Sequence, residues 1–193
     1  MKSAILIFVA CTFSLVRVSA QSKSANPSSG PQPQYLNNVY FLKKDSLISM
    51  EKGTAELKNK TKALGFGGSQ TAYVMDGAKS SFRVKTGADL HFMVKINSSF
   101  MDPTAMIKLY RFEAGKSERE AVMGGGGGIF NKKKEVGSNV EVACDMQKSG
   151  DGVFIITPGT KLSSGEYGFL NMMMVTANGS KPRYTIFAFG IDE

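Results

Sequence analysis

The sequence predicts an all-β fold of antiparallel strands, and three observations support this prediction. The chain of 193 residues contains many short apolar segments separated by glycine-rich turns. Asp76-Gly77 and Asn178-Gly179 are residue pairs that favour tight turns between strands. The segment 89–96 alternates with period two, as a half-buried strand does, and its apolar positions are Leu90, Phe92, Val94 and Ile96.

The first predicted strands lie close together in the sequence. Segments 39–42 and 47–50 flank Lys43-Lys44-Asp45-Ser46, which predicts a hairpin with a charged turn. The stretch 54–64 fits either an exposed, lysine-bearing strand or a short helix that ends at Gly65. The strand is the favoured interpretation.

The rest of the chain continues the same pattern. Val122-Met123 is expected to pair with a strand at 106–113. Further strands are predicted at 72–75, 81–84, 140–146, 153–157, 167–170 and 183–189. Many short strands at this spacing are typical of a sandwich or a barrel.

The segment from Leu162 to Tyr167 gives a more specific signal. A leucine is followed by a turn at Gly165 and then by a tyrosine that enters a strand. This order resembles the tyrosine corner of immunoglobulin-like sandwiches, in which the tyrosine hydroxyl bonds to upstream backbone. The prediction is therefore one antiparallel β-sandwich domain over 35–193, immunoglobulin-like or of a related Greek-key arrangement.

Residues 1–20 predict a secretory signal peptide. Lys2 supplies the positive start, Ala4 to Val18 form the apolar stretch, and Val18-Ser19-Ala20 places small residues before a cleavage point at Gln21. The apolar stretch is shorter than the roughly 20 residues that a membrane-spanning helix needs. Removal of the segment on export is therefore expected.

Export predicts a periplasmic or extracellular location. The alternative is a lipoprotein anchored through Cys11, which is disfavoured because the apolar run continues past that cysteine. The next segment, 21–34, is rich in Ser, Pro and Gln and is predicted to be a disordered tether. We expect no transmembrane segment in the processed chain, since no later window is long and apolar enough.

Charge and cysteine content add modest restrictions. The formal net charge is +8, and the 22 basic and 16 acidic residues that remain without Lys2 and Arg17 give +6. This charge favours an anionic partner, although scattered lysines also serve solubility. After cleavage Cys144 has no cysteine partner within the chain, and alternation favours burial over reactivity.

The sequence shows no recognisable catalytic, metal or cofactor site, so no cofactor is expected. His91 is the only histidine and is expected to face solvent, which argues against triad and zinc chemistry. Gly115-Lys116-Ser117 lacks the glycine that a phosphate loop needs five residues earlier, where Tyr110 stands. Carboxylates that meet only in the folded chain would escape this search, so a hydrolase stays open.

A glycine run followed by lysines is the candidate binding loop. Five consecutive glycines cost much backbone entropy to order, and loops of exported domains often carry binding surfaces. The lysines would give such a loop a basic tip. The candidate residues are Gly124, Gly128, Phe130, Lys132, Lys133 and Lys134.

Four stretches together resemble exported β-sandwich proteins of Bacteroidetes-type bacteria. They are Leu47 to Lys52, Gly77 to Ser80, Leu162 to Phe169 and Phe189 to Asp192, and the resemblance extends over most of 35–193. It implies a bacterial exported protein. It implies no activity, ligand or site residue.

These observations favour a non-catalytic binding or structural module of the bacterial envelope or exterior. Its partner would be an anionic envelope component or another protein, and nucleic acid is not expected. Two alternatives stay open. One is a secreted hydrolase that uses carboxylates assembled by the fold, and the other is an assembly subunit that pairs through an exposed strand edge.

Overall fold

The computed structural model describes residues 30–61, 69–97, 101–125, 140–178 and 181–193, and it confirms an all-β fold with antiparallel sheets. Within these ranges no helix is both long and apolar enough to cross a membrane. The strands are β1 (Val39–Lys43), β2 (Ser46–Ser49), β3 (Glu51–Thr61), β4 (Ser69–Asp76), β5 (Arg83–Lys85), β6 (His91–Lys95), β7 (Ile107–Ala114), β8 (Glu118–Gly125), β9 (Glu141–Val142), β10 (Cys144–Gly150), β11 (Val153–Pro158), β12 (Gly165–Asn178) and β13 (Lys181–Asp192). A single-turn helix, α1 (Pro103–Met106), precedes β7.

Five strands form an open antiparallel sheet in the order β10-β11-β6-β1-β2. The predicted hairpin is confirmed, since β1 and β2 pair from Tyr40–Ser49 to Lys43–Ser46. Lys44, in the tight turn between them, has a φ of 52°. The two lysines of this turn therefore lie at one end of the open sheet.

The second sheet closes on itself into a barrel of six strands. The ring runs β7-β12-β13-β3-β4-β8, and it closes because β7 pairs with β12 on one side and with β8 on the other. The predicted sandwich lacked this closure. The ring closes at β12, whose residues 166–171 pair with β13 along one edge and with β7 along the other.

Two hydrophobic cores follow from this arrangement. The first lies between the open sheet and the barrel wall, and it is centred on the aromatic rings of Phe92, Phe169 and Phe189. The second fills the barrel with inward-facing side chains, including Tyr73, Tyr110 and other residues of the ring strands. Strands β7, β12 and β13 contribute to both cores, so each is buried on both faces over part of its length.

Two predicted strand assignments need correction. The segment 140–146 is not one strand, because the chain leaves the barrel sheet after β9 and enters the open sheet as β10. Val122 pairs with Ala72 of β4, whereas β7 and β8 pair only at their ends. Alternation specifies which face of a strand is apolar, and it carries no information about the partner strand.

The ambiguous stretch 54–64 is a strand as far as Thr61, which agrees with the favoured interpretation; 62–64 lie outside the described residues. Its inward side chains Ala55 and Leu57 pack in the barrel core. Residues 21–29 of the predicted tether also lie outside the described residues, whereas Pro33 is buried.

Tyr167 makes the contact that the tyrosine-corner resemblance implies. Its hydroxyl donates to the carbonyl oxygen of Ser163, four residues upstream, over 3.0 Å. Its ring stacks on Phe189 of β13, with 5.5 Å between the ring centres. The contact fixes the entry of β12 into the barrel wall.

Candidate functional site

Buried charges close one end of the barrel. Arg119 of β8 is 1% exposed and Glu166 of β12 is 4% exposed. Two guanidinium nitrogens of Arg119 lie 3.3 Å from Glu166 and 2.6 Å from Glu51. Nε of Arg119 donates to the carbonyl oxygen of Gly77 over 2.8 Å. We call this group, with the residues described next, the buried charge network.

Arg83 brings a second guanidinium to the same place. One guanidinium nitrogen of Arg83 lies 2.7 Å from the Glu166 oxygen that Arg119 does not contact, and Nε of Arg83 donates to Asp192 over 2.8 Å. The backbone N–H of Ser80 donates to the other Glu166 oxygen over 2.7 Å. Each charge in the buried charge network therefore has a partner of opposite sign.

The pKa of the Glu51 carboxyl depends on two opposing effects, burial and hydrogen bonding. Burial alone would raise its pKa, but hydrogen bonds from the Ser81 N–H and from Arg119 outweigh burial, so its pKa lies below the usual value. Glu51 is therefore ionised at neutral pH. The network holds the start of β3, β8 and β12 together, which is a structural role.

A cleft opens between the two layers beside this network. Its floor is formed by Phe41 and Ile48 of the open sheet and by Phe82 and Val84 at the barrel side, and its volume is about 710 Å³. The rings of Phe41 and Phe82 lie 5.5 Å apart. β5 holds Val84 in place through parallel pairing with Ile191 of β13. The cleft thus exposes an edge of the aromatic core.

Three exposed lysines surround this apolar floor. Lys43 and Lys44 come from the β1–β2 turn, and Lys85 ends β5. Within the described part of the chain none of the three makes an ion pair. Asp89 is the one carboxylate in the cleft lining. Arg83 also lines the cleft, but its charge is neutralised by Glu166 and Asp192. The cleft rim is therefore net positive.

A short turn separates the cleft from a second cavity. The Ala88 N–H donates to the Lys85 carbonyl over 3.2 Å, and Gly87 has a φ of 81°, as a type II turn requires at this position. Beyond the turn lies a polar pocket of about 420 Å³. Its lining adds Thr157, Thr160 and Lys161 to four residues shared with the cleft, namely Lys85, Ala88, Asp89 and His91.

His91 is solvent-exposed, as the sequence predicts. Its Nδ1 lies 3.0 Å from the hydroxyl oxygen of Thr157. Cys144 is partly buried, and burial together with nearby Asp145 and Glu141 raises the pKa of its thiol to about 12. The thiol therefore stays protonated at neutral pH and is a poor nucleophile.

Of the predicted binding-loop residues, the structure describes only Gly124, and Gly124 does not line the cleft. Gly124 lies near the end of β8, roughly 16 Å along the strand from Arg119 at about 3.3 Å per residue. It is thus at the opposite end of the barrel from the buried charge network. Gly128, Phe130, Lys132, Lys133 and Lys134 lie outside the described residues.

Sequence reasoning noticed the charged turn at Lys43 and Lys44 but missed the cleft. The available signal was lysine directly after an apolar segment. Lys43 and Lys44 follow the first strand, and Lys85 follows Phe82-Arg83-Val84. The decisive fact is the parallel pairing of β5 with β13, which joins segments about a hundred residues apart. No local pattern predicts it.

Among the described residues, no three His, Cys, Asp or Glu side chains gather to form a metal site. Comparison of the chain with protein families, curated proteins and solved structures found no match. The geometry of the cleft is therefore the main guide to function.

Proposed function

We propose that this protein is an exported, non-catalytic binding module whose cleft takes an amphipathic anion, that is, an apolar chain with an anionic group. The observation that carries the proposal is the combination of an aromatic floor with three unpaired lysines at its rim. Export rests on the predicted signal peptide. An anionic envelope lipid is the kind of partner that fits both features.

The dimensions of the cleft suit a small ligand. Its volume of about 710 Å³ falls within the roughly 300–1,000 Å³ of typical ligand sites. Phe41, Phe82 and Val84 offer apolar contact, which at about 25 cal/mol per Å² of buried surface supplies the main binding energy. The floor is thus able to hold an acyl chain.

The lysines favour a ligand with a negative charge. A cationic or neutral chain would gain the same apolar contact and lose the attraction of Lys43, Lys44 and Lys85. Because these lysines are exposed, each interaction is modest, about 0.2–1 kcal/mol, and is weakened by salt. Together they favour an anion by roughly tenfold in affinity.

The hydrolase alternative has one supporting observation. Glu113 and Glu120 are directly opposed on β7 and β8, and both line a cavity of about 610 Å³. Directly opposed residues have Cβ atoms about 5 Å apart, close to the carboxylate spacing of retaining glycosidases. However, Arg83, Arg111 and Lys79 line the same cavity, so the opposed carboxylates lie among cations with which they can form structural ion pairs. Loss of a measurable glycosidase activity in Glu113→Gln would support this alternative.

Assembly through strand edges is less favoured. The edge strands of the open sheet are β2, with four residues, and β10, whose register shifts between Lys148 and Gly150. Short edges, bulges and edge lysines are features that prevent pairing between chains.

An immunoglobulin-like or related Greek-key arrangement of the strands also belongs to the proposal. The Tyr167–Ser163 contact supports it. The closed barrel distinguishes this chain from a simple two-sheet sandwich.

Calorimetric titration of the purified protein with three ligands of equal chain length tests the proposed function. Oleate carries a negative head, oleyl alcohol is neutral and oleylamine is positive. We expect oleate to bind about tenfold more tightly than the other two at low salt, with the preference reduced at high salt. Equal affinity for all three, or no binding of oleate, would refute the proposal.

A matched pair of double variants locates the site. Lys43→Ser/Lys44→Ser removes charge at the cleft, whereas Lys116→Ser/Lys181→Ser removes equal charge from exposed positions that do not line it. We expect the first variant to lose most of the preference for oleate and the second to keep it. The same loss in both would assign the effect to net charge alone.

A further inference from the structure

We infer that the polar pocket beside the cleft binds a phosphate head group, so that the ligand is a phosphorylated single-chain lipid. The inference deepens the proposed function and rests on it. The two cavities lie side by side and share Lys85, Ala88, Asp89 and His91 as a common wall, so an amphipathic molecule that extends across this wall would reach both.

The number of charges favours phosphate over carboxylate. Lys161 of the polar pocket, like Lys85, makes no ion pair among the described residues. With Lys43 and Lys44 this places four lysines around the two adjacent cavities against one carboxylate, Asp89. A phosphate monoester carries about −1.5 to −2 at neutral pH and matches this excess better than a single negative charge.

The donors of the pocket have the matching chemistry. Thr157 and Thr160 supply hydroxyls, and His91 lies 3.0 Å from the Thr157 hydroxyl oxygen at the entrance. Together with the two ammonium groups, they offer more donors than the two oxygens of a carboxylate can use. A phosphate has three terminal oxygens that accept such bonds.

The size of the pocket indicates a head group larger than phosphate alone. Its volume of about 420 Å³ would leave space around a bare phosphate and accommodates a glycerol phosphate. Leu90, Leu162 and Ile191 line its inner side, next to the core between the layers. The polar groups are at the mouth, where a charged head stays partly hydrated.

The test compares oleoyl lysophosphatidate with oleate, which share one chain and differ in head group. We expect lysophosphatidate to bind at least tenfold more tightly. Lys161→Ser should remove most of that difference while it changes the affinity for oleate by twofold or less. Lys181→Ser, at an exposed position away from both cavities, should leave both affinities unchanged.

Each other outcome refutes a defined part of the inference. Equal affinity for the two lipids, or a preference that survives Lys161→Ser, would overturn the phosphate assignment and leave the amphipathic-anion proposal standing. Displacement of lysophosphatidate by equimolar glycerol 3-phosphate would assign the pocket to a soluble phosphate ester and overturn the lipid. Failure of both lipids to bind would overturn the proposed function itself.

Discussion

The two charged regions at this end of the molecule differ in one respect. In the buried charge network, the buried Arg119 and the partly buried Arg83 each bind two carboxylates. At the cleft rim, Lys43, Lys44 and Lys85 are exposed and have no anionic partner among the described residues. The partnered arginines therefore stabilise the fold, whereas the unpartnered lysines are available to a ligand.

The choice of side chain fits this division. Arginine forms planar, bidentate contacts and is weakly hydrated, which suits buried pairs. Lysine is strongly hydrated on a flexible stem, which suits a rim that exchanges water for a ligand. Arg83 joins the two regions, because its guanidinium is fixed by Glu166 and Asp192 while its side chain lines the cleft.

The largest expected effect is loss of the buried network. Arg119→Met leaves Glu51 and Glu166 without their shared cation, and breaking a buried pair from one side costs about 3–5 kcal/mol. Urea denaturation at neutral pH measures the change in free energy of unfolding. Lys58→Met, which breaks a half-exposed pair with Glu118, serves as the control and should cost about 0.5 kcal/mol or less. Equal losses in the two variants would contradict the structural role of the network.

A smaller loss of stability is expected at low pH. Since the pKa of Glu51 is lower in the folded chain than its usual 4.5, its stabilising contribution is complete above that pH and is lost as the pH falls through the lowered pKa. The wild-type chain should therefore lose stability below about pH 4.5. Glu51→Gln should be less stable at neutral pH and should lose less on acidification. Parallel pH profiles for the two proteins would exclude Glu51 as a source of the acid sensitivity.

Tyr167→Phe removes one hydrogen bond and keeps the stacked ring. The expected cost is about 1 kcal/mol, the usual net value of such a bond. Thermal unfolding monitored by circular dichroism would detect it as a small decrease in Tm. An unchanged Tm would mean that the hydroxyl contributes nothing at the entry of β12.

The smallest effect on stability is expected at the cleft rim. Lys43→Ser/Lys44→Ser should change the free energy of unfolding by about 0.5 kcal/mol or less, because both lysines are exposed and unpaired. The same double variant should weaken oleate binding. A large loss of stability would show that these lysines serve the fold and would remove the contrast between the two regions.

Local sequence signals predicted individual strands better than their partners. The alternation at 89–96 and the charged turn predicted β6 and the β1–β2 hairpin, because both depend on neighbouring residues. The predicted half-burial of β6 is wrong at Met93, which is buried together with Phe92 and Val94. Closure of the barrel depends on β7 pairing with β12, more than fifty residues later in the chain. Such long-range pairings follow from the packing of whole sheets, so no local sequence pattern predicts them.

The buried charges were hidden for the same reason. Glu166 stands beside a glycine turn and Arg119 in a run of charged residues, so both are expected at the surface from sequence alone. Only the closed barrel places them face to face. The cleft is likewise a product of two segments, β1–β2 and β5, that belong to different layers.

A fluorescence titration with a reporter in the cleft tests directly whether the ligand binds there. The chain has no tryptophan, so Phe82→Trp places a single reporter in the floor, and Met173→Trp places a matched one at an exposed site on β12. We expect oleate to shift the emission of the Phe82→Trp protein to shorter wavelength, with saturation, and to leave the Met173→Trp emission unchanged. Saturable binding of oleate that leaves the emission of the Phe82→Trp protein unchanged would contradict the assignment of the ligand to the cleft.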